Sequence, residues 1–198
     1  MEIVFATNNL HKLQEISALL GDRFRVLGLR DLGLAEEIPE DHETLEENAS
    51  QKAWYVFNKT GRSCFADDTG LEVDSLNGAP GVYSARYAPD DSQRMARLLL
   101  ELGDTPYRSA ALVSALAVAD PSGSLVLEAE GICRGEILSQ PVASPGYGYN
   151  RLLHVREAGC TLAEMPPHQL EKLGSRAKAL RSLAVDLPRV LGLNVNGP

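Results

Sequence analysis

Residues 63–66 (SCFA) form a short apolar run that leads straight into Asp67-Asp68-Thr69-Gly70. Two adjacent carboxylates at the end of a buried strand are costly unless they are exposed, paired or metal-bound. Strand alternation sends the two side chains to opposite faces, so one can serve the structure while the other faces a cleft. This junction restricts the chain to folds that build a polar site at a strand end. A carboxylate that binds Mg2+ and also orients a water is a recurrent device in phosphoryl chemistry.

The segments around the junction read as an α/β protein. Residues 1–6 (MEIVFA) predict a buried strand, Thr7-Asn8-Asn9 a turn with a helix N-cap, and residues 10–20 a helix with Leu13, Ile16 and Leu20 on one face. Residues 24–29 predict a second strand. Thr44-Leu45-Glu46-Glu47 fits a capping box, so a helix is expected from about residue 44 to 59, closed by Gly61. Beyond the junction, residues 71–74 read as another strand, 91–102 as a helix, and 110–119 with 124–130 as a hairpin that 131–138 continue. Residues 143–149 (ASPGYGY) read as a loop, and 169–187 as a last helix that Pro188 ends.

The 198 residues contain no repeat and no linker, so one domain over 1–198 is expected. No apolar stretch approaches the ~20 residues of a membrane span. The opening MEIVFATNN has neither the basic nor the apolar region of a secretion signal. Cys64, Cys133 and Cys160 make no zinc pattern and suit a reduced cytoplasmic compartment.

The net charge is −8, which disfavours a protein that grips duplex nucleic acid by its phosphates. Seven of the acids lie in residues 36–47 (EEIPEDHETLEE) with no Lys or Arg among them, leaving 20 acids against 19 bases elsewhere. Carboxylates so crowded either face water or share a hard divalent cation, for which oxygen ligands are the rule.

Four further features carry chemistry. Thr7-Asn8-Asn9-Leu10-His11-Lys12 sets polar side chains, backbone N–H groups and a cation at a helix N-terminus, a natural anion site. Lys52 sits on the mostly apolar background of Ala49, Ala53, Trp54 and Val56. In Gly146-Tyr147-Gly148-Tyr149-Asn150, glycines flank aromatic rings able to stack on a nucleobase. The last helix is basic, with Lys172 and Arg176 one turn apart. Each feature alone also fits an ordinary cap, solvated face or turn. Together they describe a site for a magnesium nucleotide without choosing a reaction.

Three blocks go further: FATNNLHK with Glu15 after it, PEDHETLEENASQKA, and FADDTGLEVDSLNGAPGVYSARYA. Through them the chain resembles the non-canonical purine nucleoside triphosphate pyrophosphatases, the inosine triphosphatase family, nearly end to end but more weakly after about residue 105. The resemblance implies an α/β fold with an elongated, curved mixed β-sheet and two lobes around a central cleft, in a cytoplasmic homodimer. It implies Mg2+-dependent hydrolysis of ITP, dITP and XTP to the monophosphate and pyrophosphate. By position, Thr7, Asn9 and Lys12 match a triphosphate-holding motif, Glu40 a metal-binding glutamate, and Asp68 the metal ligand and general base. Thr69 replaces a serine and keeps its hydroxyl, and Lys52 matches a lysine near the phosphates.

The base-reading half departs from the family pattern. Tyr147 keeps the stacking ring, but Asn150 and Arg151 stand where the family has Asp and Pro. Leu170 falls on a family lysine and Ser175 on a histidine, while Arg176 keeps the arginine. Lys172 lies half a turn from the missing lysine. These exchanges predict relaxed or redirected base choice. A nucleotide-binding homologue with weak turnover, an acidic interaction module, and an activity on other modified nucleotides are the competing readings.

Overall fold

The computed structural model describes residues 2–34, 36, 38–119, 126–184 and 186–187. Among them the chain forms a mixed α/β fold with an eight-stranded sheet and five α-helices. In chain order these are β1 (Glu2–Phe5), α1 (Leu10–Leu20), β2 (Arg25–Leu27), α2 (Leu45–Thr60), β3 (Cys64–Val73), β4 (Pro80–Gly81), α3 (Asp91–Leu102), β5 (Ser109–Ala119), β6 (Val126–Ile137), β7 (Leu153–Val155), β8 (Cys160–Thr161), α4 (Pro167–Leu173) and α5 (Ser175–Leu183). The strand order is β2-β1-β3-β5-β6-β7-β8, with β4 paired to β3. β1 runs parallel to β2 and β3, whereas the β3–β4, β6–β7 and β7–β8 pairs are antiparallel. The sheet is therefore mixed, in agreement with the resemblance.

The chain divides into two compact units. One holds Met1–Asp68, Ala115–Glu130 and Arg176–Pro198; the other holds Thr69–Ser114 and Gly131–Ser175. The first packs Ile16 of α1 against Ile3, Phe5 and Phe65, with Leu13 and Leu20 partly buried beside them. Phe5 and Phe65 stack with ring centroids 4.4 Å apart and are register partners of β1 and β3. The second packs Met95, Leu98 and Leu102 of α3 onto Leu71, Val73, Ile137 and Leu153, the face that the spacing predicts.

Two of the expected elements take a different form, and the short strands β4, β7 and β8 stand where no strand is expected. The separate strands at 63–66 and 71–74 are one strand, β3, which runs through both carboxylates. It continues because buried cations neutralise Asp67 and Asp68 where they stand. The last helix is broken in two at Gly174, whose φ of −59° and ψ of 142° are not helical. The break presents Ser175 and Arg176, both buried, to polar partners described below. The expected hairpin turn at 120–123 and Pro188 lie outside the described residues. Among the described residues, no helix is long and apolar enough to cross a membrane.

Candidate active site

Alternation along β3 separates the two carboxylates as expected. Asp67 is 1% exposed and is held by two cations, Arg176 and Lys12. Arg176 donates from Nε (2.9 Å) and Nη2 (2.7 Å) to its Oδ2, and Lys12 Nζ lies 3.1 Å from Oδ1 and 3.0 Å from Oδ2. Glu15 takes the remaining arm of Arg176 through Nη1. Burial alone would raise the Asp67 pKa, but Arg176 and Lys12 outweigh it and hold the carboxyl well below the usual range. Burial pushes the Lys12 ammonium down from its ordinary value, against the pull of Asp67.

Asp68 has a different neighbourhood. It is 8% exposed, and its Oδ1 accepts from Lys52 Nζ at 3.2 Å. The same ammonium donates to Glu40 Oε1 at 2.7 Å. Burial raises the Asp68 pKa despite Lys52, and Glu40 adds to the rise. Burial would lower that of Lys52, but Asp68, Asp67 and Glu40 together raise it. Adjacent residues are thus driven in opposite directions: Asp67 is a fixed anion, and Asp68 is a carboxylate with increased proton affinity.

The acidic segment is anchored by α2. Thr44 accepts from the Glu47 N–H at 3.2 Å, the forward arm of the predicted capping box, and Glu47 Oε2 accepts from the Thr44 hydroxyl at 3.0 Å. Asn48, fully buried, accepts from the His42 N–H at 3.0 Å, and Gln51 accepts from the Asp41 N–H at 3.2 Å. These bonds hold the chain just after Glu40, which itself accepts from Lys52. The segment also has counter-charges that its own composition lacks: Lys52 for Glu40 and Lys59 for Glu36. Glu37 lies outside the described residues.

At the start of α1, Asn9 is the N-cap, and its Oδ1 accepts from the N–H groups of His11 (2.9 Å) and Lys12 (3.3 Å). Two of the N–H groups expected to meet an anion are therefore already satisfied within the turn. Thr7 Oγ1 accepts from the Asn9 N–H at 3.1 Å and keeps its own proton to donate. Asn8 Oδ1 is buried with no hydrogen-bond partner. Leu10 and His11 are exposed.

The second unit holds the rest. Thr69 Oγ1 lies 3.0 Å from Ser114 Oγ, and Ser114 Oγ lies 2.7 Å from Ser175 Oγ. In the 146–150 loop the Tyr147 ring is half-buried, whereas Tyr149 is in the core with its hydroxyl donating to the Ser84 carbonyl at 3.2 Å. Asn150 is half-buried; its N–H donates to the Tyr147 carbonyl at 3.1 Å, and its carbonyl accepts from the Ala163 N–H at 3.0 Å. Sequence reasoning did not assign Asp67, Asn48 or Ser114. The fully apolar setting of Ser114 in residues 110–119 was the available signal for the last of these.

Glu40 and Asp68 already flank one cation, the Lys52 ammonium. Two carboxylates are the hard oxygen donors that Mg2+ uses, with water and phosphate completing its shell. Among the described residues no group of three or more His, Cys, Asp and Glu forms a metal cage. The residues present therefore fit a magnesium nucleotide.

Comparison with known proteins adds an independent line. The Ham1 family profile matches residues 3–185. The chain is 44% identical over 191 residues to a dITP/XTP pyrophosphatase of Nostoc sp., covering 96% of this chain and 95% of that protein. It is 39% identical over 186 residues to the dITP/XTP pyrophosphatase of Flavobacterium psychrophilum, covering 92% and 97%. Among solved structures, the Ham1 protein of Staphylococcus aureus superposes with a TM-score of 0.83 at 31% identity, covering 96% of this chain and 99% of that one. A HAM1 protein from Coxiella burnetii matches with a TM-score of 0.83 at 33% identity and the same coverage.

Proposed function

The chain belongs to the Ham1 family, and from that premise we propose that it is a nucleoside triphosphate pyrophosphatase. It hydrolyses deaminated purine nucleotides (ITP, dITP and XTP) to the monophosphate and pyrophosphate. Full-length identity of 44% to a dITP/XTP pyrophosphatase supports the reaction class. The observation that carries the residue assignment is the opposite environment of Asp67 and Asp68.

In this reading Asp68 takes a proton from water as the water oxygen attacks the α-phosphorus, and the bond to the bridging oxygen breaks as pyrophosphate leaves. The placement of Asp68 beside Lys52 and Glu40 suits that task. Glu40 and Asp68 hold Mg2+, whose charge offsets that of the phosphates. Lys52 keeps the two carboxylates together, and Asp67 holds Lys12 and Arg176 in place. Phosphate binding draws on the ammonium groups of Lys12 and Lys52 and on the Thr7 hydroxyl, since Asn9 already occupies the His11 and Lys12 N–H groups. Tyr147 stacks on the base and Asn150 hydrogen-bonds its edge. By the family resemblance the reading extends to a cytoplasmic homodimer, and to one two-lobed domain over residues 1–198.

A second reading concerns specificity. Ser175 and Arg176, aligned with the family's base-contacting residues, are tied to Ser114 and to Asp67 with Glu15. Base selection then rests more heavily on the 146–150 loop, and preference for ITP over GTP and ATP is shallow. A panel of ITP, dITP, XTP and the standard nucleotides at equal concentration, with Mg2+ and product identification, tests both readings. Monophosphate plus pyrophosphate is expected. Diphosphate plus phosphate, or no turnover, overturns the first reading, and a steep ITP and XTP preference overturns the second.

A further inference from the structure

Two glycines bracket Tyr147, and they are held by different means. A Cβ on Gly146 would sit 2.9 Å from Ala163 Cβ and 3.1 Å from Arg151 Cγ, so close packing fixes that side. Gly148 has φ +55°, and a Cβ built on it would meet nothing within 4 Å. A glycine in open space leaves such a conformation readily unless something restrains it. The restraint comes from another element: the Gly148 N–H donates to Asp91 Oδ2 at 2.7 Å. Asp91 is the first residue of α3, where the helix field favours a carboxylate. Its Oδ1 accepts from Arg94 Nη1 at 2.7 Å, and Arg94 Nε is itself fixed on the Ala88 carbonyl at 3.0 Å. The anchor is therefore a charged group held from two sides.

We propose that Asp91 is a positioning residue for base selection: by fixing Gly148 through a charge-assisted hydrogen bond, it sets the direction of the Tyr147 ring and the Asn150 amide. The inference rests on the reading of residues 146–150 as the base-contacting loop. The described hydrogen-bond partners of Asp91 are Gly148 and Arg94, so its loss acts on KM and base discrimination more than on kcat.

The test is steady-state kinetics of the full chain with ITP, GTP and base-free ribose 5-triphosphate. Asp91→Ala is expected to raise KM for ITP about tenfold, the scale of one hydrogen bond to a charged group. The same variant flattens the ITP-to-GTP ratio of kcat/KM and changes kcat and the ribose triphosphate KM far less. Asp91→Asn, whose amide oxygen can still accept from Gly148, recovers most of the loss. An unchanged KM for ITP, an equal rise for ribose triphosphate, or an Asp91→Asn variant as impaired as Asp91→Ala overturns the proposal. If Asp91→Ala does not fold, Asp91→Ser, suited to a helix start but too short to reach Gly148, undergoes the same comparison. Tyr147→Ala separates the two levels. If it leaves the ITP KM unchanged, the loop reading fails and the inference with it; a raised KM beside a silent Asp91→Ala overturns the Asp91 role alone.

Discussion

The carboxylates of β3 and the loop around Tyr147 are positioned by different forces. Asp67 and Asp68 are set among cations contributed by α1, α2 and α5, those of α2 and α5 buried and that of α1 half-buried, so their geometry depends on charge balance. The loop is set by a steric fit at Gly146, by backbone hydrogen bonds, and by the Asp91 carboxylate. The first arrangement holds charge where chemistry on phosphate requires it, and tolerates little change in charge. The second holds a shape, and tolerates little change in volume. Substitutions that exchange charge or volume therefore affect the two regions unequally.

The largest effect is expected at Asp68. Asp68→Asn removes the proposed base and should lower kcat about 10²–10⁴-fold. The fold should persist, because burial already penalises the Asp68 charge and Lys52 retains Glu40 as a partner. Pyrophosphate release and thermal unfolding measure the two consequences. Near-normal turnover would sink the base assignment, and a large loss of stability would show that Asp68 is structural like its neighbour.

Asp67 should behave in the opposite way. Asp67→Asn leaves Arg176 and Lys12 without their shared anion, and removal of one partner from a buried pair typically costs about 3–5 kcal/mol. The pH dependence follows from the depressed Asp67 pKa. A carboxyl with a lowered folded-state pKa stabilises fully above its unfolded value of about 3.9, and the contribution is lost as pH falls through the folded value. The stability gap between wild type and Asp67→Asn should therefore be flat from neutral pH to about pH 5 and close only in stronger acid. Urea unfolding across that range measures it, and a gap already closed at pH 5 would refute the assignment of Asp67 as a fixed anion.

The same contrast explains what could be read in the sequence. The α1 bounds, the Asn9 cap, the Thr44 capping box and the division of Asp67 from Asp68 follow from local spacing. The partners of Asp67 do not. Arg176 lies 109 residues away, and its Glu15 contact spans 161 residues, so no local pattern marks either pair. For the same reason β3 was expected to stop at its carboxylates, since the cations that allow it to continue lie elsewhere in the chain. The helical apolar spacing on either side of Gly174 predicts a continuous helix and hides the break. Nothing local indicates that a new helix starts at Ser175 and sets Ser175 and Arg176 against Ser114 and Asp67.

The smallest expected effect tests the steric half of the comparison. Gly146→Ala adds a methyl carbon 2.9 Å from Ala163 Cβ and 3.1 Å from Arg151 Cγ. Arg151 has little room to yield, because its Nε donates to the Val142 carbonyl at 2.8 Å. Overpacking of this kind typically costs about 1–3 kcal/mol. If volume is the cause, Ala163→Gly removes the obstructing carbon and should restore much of the stability and of the ITP KM in the double variant. Gly148→Ala supplies the contrast. Its added carbon meets open space, and its penalty is the backbone strain of an alanine at φ +55°, about 1–2 kcal/mol. Ala163→Gly should give that variant no relief. Denaturant unfolding of the three single and two double variants, as two double-mutant cycles, isolates the coupling. Coupling confined to Gly146 and Ala163 supports a loop held by shape on one side of Tyr147 and by conformation on the other. Equal coupling for both glycines, or none for either, would remove the steric half of the contrast.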